Sequence, residues 1–140
     1  MDNYKILIVD DDSDIVETMV FALQRRSFNV ITAFNGVDGL IKAKYEQPDI
    51  IILDLMMPKM DGFEVCAKLK SDETTKRIPV IVFTARNDKD AHYKVFKCGN
   101  DDYIVKPFKL PDLITKINKV LLSAGKDSSE NKTTRFDNWL

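Results

Sequence analysis

An alternating α/β fold with a five-stranded parallel sheet is what this sequence predicts, on three observations. Short aliphatic runs recur at regular intervals, at 6–9, 30–33, 50–53, 80–83 and 103–105. Segments with helical spacing separate them, and Gly or Asp-Gly steps mark the joints. The runs are almost continuously apolar rather than alternating, as expected of strands covered on both faces, the mark of a parallel sheet with right-handed crossovers.

In chain order, the first run (ILIV, 6–9) leads into Asp10, Asp11 and Asp12. Ile15, Val16, Met19, Val20 and Leu23 then form one apolar stripe at helical spacing. Asp12, Ser13 and Asp14 suit the start of that helix, with Asp14 and Glu17 at capping-box spacing. The second strand (30–33) runs into Phe34, Asn35 and Gly36, which offer little chemistry, and a helix follows over 36–46. The third run, IIIL at 50–53, delivers Asp54 at its end. The Pro-containing turn after it closes with Asp61-Gly62 and opens a helix over 61–71. The fourth strand (80–83) ends at Thr84, and a helix over 88–98 reaches Gly99. The fifth strand (103–105) ends in Lys106-Pro107. Leu113, Ile114, Ile117, Val120 and Leu121 line the last helix.

The 140 residues suffice for one domain, expected over 1–123. A polar, flexible tail is expected over 124–140, apolar again only at Phe136, Trp139 and Leu140; these dock somewhere, begin a further domain, or form an unstructured end. With 44% hydrophobic and 31% charged residues the composition is that of a soluble protein. No apolar run approaches the roughly 20 residues of a spanning helix, and the start lacks the features of a signal peptide, so a cytoplasmic location is expected. Lys and Arg number 21 against 22 acids, which gives no electrostatic footprint for direct nucleic-acid binding. Cys66 and Cys98 are far apart without metal-ligand neighbours, and His92 sits on a polar face; free thiols and a surface imidazole are expected.

Open parallel sheets bind ligands outside the carboxyl ends of their strands. There this chain carries Asp10 and Asp11, Asp54, Thr84 and Lys106. Clustered carboxylates repel and raise one another's proton affinity unless a cation sits among them. Oxygen ligands without His or Cys suit Mg2+, which typically completes its shell with water and phosphate. Lys106 can supply positive charge and Thr84 a hydroxyl to a phosphoryl group, and a carboxylate can accept one covalently. Asp54, fixed at the end of a central strand, is the expected acceptor. No Gly-rich loop follows the first strand, so dinucleotide or flavin binding has no support. An aspartyl-nucleophile phosphatase would need Thr within the acidic motif, where this chain has Asp10-Asp11-Asp12-Ser13-Asp14.

The segments ILIVDDD, IILDLMMPKMDG, PVIVFTAR and DDYIVKPF resemble, in order and spacing, the signatures of the response-regulator receiver domain of bacterial two-component signalling, over residues 4 to 122. The resemblance implies a flavodoxin-like three-layer sandwich with strand order 2-1-3-4-5. It implies Mg2+ held by Asp11, Asp54 and the Met56 backbone carbonyl, with Asp10 acting through water. Asp54 becomes the phosphoacceptor, Thr84 the signalling hydroxyl, Tyr103 the switch aromatic and Lys106 the conserved-type lysine, before a cis Pro107. Asp12 is an extra acid beside the pocket, and Met56 and Ala85 fall where the family tunes access to the phosphoryl group. The implied partners are a sensor histidine kinase or phosphotransfer protein and a downstream effector or appended output domain. An acidic partner or a homodimer at the surface of the fourth helix, fifth strand and fifth helix, where Lys89, Lys94, Lys97, Lys109, Lys116 and Lys119 lie, is a further expectation. The protein is expected to be no enzyme beyond catalysing its own phosphorylation and dephosphorylation; the alternative is an interaction module that keeps the fold and works without phosphorylation.

Overall fold

A computed structural model describes residues 3–84 and 101–125. Five strands, β1 (Lys5–Val9), β2 (Asn29–Ala33), β3 (Ile50–Asp54), β4 (Val80–Thr84) and β5 (Asp102–Val105), form one parallel sheet in the order β2-β1-β3-β4-β5. The described helices are α1 (Ser13–Gln24), α2 (Gly36–Glu46), α3 (Gly62–Ser71) and a C-terminal helix, Leu110–Ser123. The fold class and strand order are those expected. The predicted helix at 88–98, with His92, Cys98, Lys89, Lys94 and Lys97, lies outside the described residues, as do Ala85 and the tail beyond Gly125.

Strand residues alternate between two cores, because successive side chains point to opposite faces. Ile6, Ile8, Ile50, Ile52, Ile81 and Phe83 pack against Val16, Met19 and Leu23 of α1 and Leu113, Ile117 and Leu121 of the C-terminal helix. Leu7, Val9, Ile51, Leu53, Val80 and Val82 pack against Ala43 of α2 and Val65, Cys66 and Leu69 of α3. β1 and β3 are central and covered on both sides; all five residues of β3 are buried, Asp54 included. Each such aliphatic side chain contributes about 1.5–3 kcal/mol by leaving water. The expected stripes of α1 and the C-terminal helix are the faces these helices bury.

α2 differs. It buries Gly36, Gly39 and Ala43, and a Cβ at Gly39 would stand 2.9 Å from Val9 Cγ1. The small residues bring this helix close to the sheet; Leu40 packs against the core beside them, and Val37, Ile41 and Tyr45 face outward.

Candidate functional site

β1 ends at Val9, but the Asp10 N–H donates to the Ala33 carbonyl at 3.0 Å and carries the β1–β2 ladder one residue further. That bond holds Asp10 rigidly at the rim, fully buried. The chain then turns: the Asp12 N–H donates to Asp10 Oδ1 at 3.0 Å, and Asp12 Oδ1 accepts from the N–H groups of Asp14 at 3.0 Å and Ile15 at 3.3 Å. Asp12 is the N-cap of α1, the structural role expected of it. Asp11 between them is exposed.

Asp54 is the last residue of β3, opposite Phe83 of β4, and the Leu55 N–H donates to the Phe83 carbonyl at 3.1 Å. Its Oδ1 accepts from the Met56 N–H at 3.0 Å, and its Oδ2 lies 3.6 Å from Lys106 Nζ. The loop after Asp54 folds back on itself, and the Gly62 N–H donates to the Leu55 carbonyl at 3.1 Å. A Cβ at Gly62 would lie 2.3 Å from the Asp54 carbonyl oxygen and 2.4 Å from Leu55 Cα. Only glycine fits against that backbone. Asp61 caps α3 by accepting from the Glu64 N–H at 2.9 Å.

Lys106 approaches from β5. Its Nζ stands 4.6 Å from the centroid of the Phe83 ring, and Phe108 packs edge-on to that ring at 6.0 Å. The ring is an apolar shelf that attracts the cation and keeps it beside Asp54. The Lys106–Pro107 peptide is cis, as expected.

Carboxylate oxygens of Asp10, Asp11 and Asp54 lie within 4.8 Å of one another. Burial chiefly, with the neighbouring Asp54 carboxylate adding to it, pushes the Asp10 pKa up to about 7, against the Asp12 N–H and Lys106, which favour the anion. Asp10 Oδ2 is buried and has no hydrogen-bond partner among the described residues. A buried, unsatisfied carboxylate oxygen costs free energy, and a cation between it and its two neighbours would remove that cost. The donor set is all hard oxygen, which fits Mg2+ and disfavours thiolate- or imidazole-seeking metals.

The structure therefore brings together Asp10, Asp11, Asp54, the Met56 backbone and Lys106 from three separate stretches of chain. Tyr103 is half-buried in β5, opposite Val82, and packs against the α2–α3 core. Thr84 closes β4, and its side chain lies outside the described residues. Two contributors escape a reading of the sequence. Gly62 reads only as turn chemistry, and the sole clue to its tight approach is the Asp-Gly step. Phe83 reads only as core, although it sits next to Thr84 at a strand end.

A family model described as the response regulator receiver domain matches residues 6–118. Among curated proteins, the chain is 38% identical over 119 residues to the alkaline phosphatase synthesis transcriptional regulatory protein PhoP of Bacillus subtilis, covering 85% of this chain and 49% of that one. It is 39% identical over 117 residues to the DNA-binding dual master transcriptional regulator RpaA of Synechocystis, covering 84% and 48%. The chain thus spans about half the length of these curated relatives. Among solved structures, a CheY-like response regulator receiver domain protein from Methanospirillum hungatei superposes with a TM-score of 0.83 at 28% identity, over 90% of this chain and 99% of that one.

Proposed function

This chain belongs to the response regulator receiver domain family, and we propose that Asp54 is its phosphoacceptor, taking a phosphoryl group from a phosphohistidine of a sensor histidine kinase or phosphotransfer protein. One observation carries the assignment. Asp54 is a buried carboxylate fixed by the Met56 N–H, with Lys106 Nζ 3.6 Å away and oxygens of Asp10 and Asp11 within 4.8 Å.

An Asp54 oxygen forms the bond to phosphorus as the P–N bond of the donor imidazole breaks, and the ring nitrogen keeps the electron pair. Asp11, Asp54 and the Met56 carbonyl would hold Mg2+, with Asp10 behind them; when bound, the ion supplies positive charge against the carboxylates and the phosphoryl oxygens. Lys106 supplies a second cation at the acceptor oxygen, where charge shifts as the bond forms. Strand β3 keeps the nucleophile still, so the geometry is prepared before the donor arrives. Water later cleaves the acyl phosphate, returning Asp54 and inorganic phosphate, and the chain has no other turnover in this reading.

Phosphorylation adds nearly two negative charges at Asp54. Thr84 and Lys106 then move to the phosphoryl oxygens, and Tyr103 turns inward. The populations of the surface formed by the segment 88–98, β5 and the C-terminal helix shift in consequence. That surface passes the signal to an effector protein, an output domain or a second copy. Residues 1–123 form the receiver unit and 124–140 the tail. None of the described helices is long and apolar enough to cross a membrane, which suits a cytoplasmic signalling role.

The test is labelling with acetyl phosphate in MgCl2. Wild type should incorporate acid-stable, base-labile phosphate, and Asp54→Asn should not; omission of Mg2+ should have the same effect. Labelling that survives in Asp54→Asn removes Asp54 from the role. An unlabelled wild type that still binds its effector would favour the phosphorylation-independent module.

A further inference from the structure

Two apolar features of this chain are left unused by the acceptor site. The first is a stripe on α2. Val37, Ile41 and Tyr45 are 55%, 51% and 77% exposed and stand one turn apart, with exposed Phe34 just before the helix. Among the described residues the remaining large exposed hydrophobics are Phe21, whose ring is stacked by Arg25 at 5.6 Å, and Met56 beside Asp54. The α2 stripe is therefore the main exposed apolar surface described. Below it, Leu40, Ile41, Tyr45 and Leu69 line a cavity of about 580 Å3, flanked by Lys44 and Lys68. Asp72 at its rim has its carboxylate occupied by the N–H and hydroxyl of Thr74.

The second feature is in the sequence. Phe136, Trp139 and Leu140 are the only large apolar residues after Leu122, and their i, i+3, i+4 spacing is one that would put them on a common face in a helical turn. Asp137 lies among them.

We infer that the segment 136–140 docks on the α2 stripe of the same chain, with Trp139 in the Leu40–Leu69 cavity and Asp137 near Lys44 and Lys68. The topology favours this site. In a parallel α/β sheet each helix runs back against its strands, so the C-terminal helix releases the chain at the edge where the strands begin. The Tyr45 end of α2 lies at that same edge, before β3 begins. The apolar groove between Ile15, Met19, Phe108 and Leu110 lies instead at the opposite edge, beside Lys106. Residues 126–135 must pass from the α1 side of the sheet to the α2 side. Ten extended residues reach about 33 Å, against about 20 Å for crossing two packed layers. Docking removes apolar surface of both partners from water and offsets the ordering of a short, polar connection.

Trp139 is the one tryptophan of the chain and reports on its own environment. In the full chain, at concentrations where sedimentation shows a monomer, its emission should be blue-shifted and shielded from acrylamide. Ile41→Glu and Tyr45→Ala change exposed side chains and should leave the circular dichroism unchanged; each should red-shift the emission and raise quenching toward the value in urea. Three results would overturn the inference: an exposed Trp139 in wild type, a shielded Trp139 indifferent to both α2 variants, or shielding that appears only as the protein dimerises. The readout needs no phosphorylation, so it stands or falls apart from the assignment of Asp54.

Discussion

Asp10→Asn should make the metal-free protein more stable, and by an amount that grows with pH. The wild-type carboxyl is raised from 3.8 to about 7 on folding, chiefly by burial, so between those values the folded chain holds a proton that the unfolded chain has released. The Asp10 contribution to stability is then greatest at or below about pH 4, falls as the pH rises through this window, and levels off above about 7. A tenfold change in proton affinity is worth about 1.4 kcal/mol, so a rise of this size sets a ceiling of roughly 4 kcal/mol. Asparagine keeps an oxygen for the Asp12 N–H, seen at 3.0 Å, and carries no charge to desolvate. Urea unfolding in EDTA at intervals from pH 4 to 8.5 measures both proteins. The variant's advantage should be small at pH 4 and reach about 2–4 kcal/mol by pH 8. Added Mg2+ above pH 7 should then restore wild type more than the variant, since binding to the folded state stabilises it. A stability difference that stays constant across this pH range would show that Asp10 does not titrate in the folded protein, and the account of its buried, unsatisfied oxygen would fail.

Gly62→Ala places a Cβ against the backbone of Asp54 and Leu55. Overpacking of this kind costs about 1–3 kcal/mol, and the forced shift of the loop should also slow labelling of Asp54; unchanged stability and labelling would mean the loop has room. Asp12→Ala removes the α1 cap and should lower stability by about 1 kcal/mol in urea unfolding, with acetyl-phosphate labelling intact; lost labelling would instead make Asp12 part of the pocket. Lys106→Met removes the cation 3.6 Å from Asp54 Oδ2. It should slow labelling and, because Lys106 favours the Asp10 anion, extend the fall in metal-free stability to higher pH than in wild type.

Sequence alone was enough to place the five strands, because a parallel strand covered on both faces must be apolar throughout, and here each run is bounded by a turn or a polar residue. The stripes of α1 and the C-terminal helix could be read for the same reason: Val16, Met19 and Leu23, or Leu113, Ile117 and Leu121, recur at the period of the helix and must face a core. It reached less far where neighbouring residues are chemically alike: it marked Asp12 as a helix cap but not the difference in burial between Asp10 and Asp11. Asp10, Asp11 and Asp12 are three identical side chains in a row, yet one is buried with an oxygen that has no partner among the described residues, one exposed and one a helix cap. What separates them is the direction of the backbone as it leaves the Ala33 carbonyl and turns into α1, which composition does not encode. α2 carries apolar residues at helical spacing too, but its small residues face the sheet, and packing against Val9 and Val65 decided this. The meeting of Lys106 with Asp54 is likewise tertiary: 52 residues apart in sequence, they touch because β4 and β5 bring Phe83 and Lys106 to one rim of the sheet. The sequence settled which residue types stand at the strand ends, because hydrophobic periodicity is local. Their distances, burial and charge states depend on how separate elements pack together, and only the folded chain could set them.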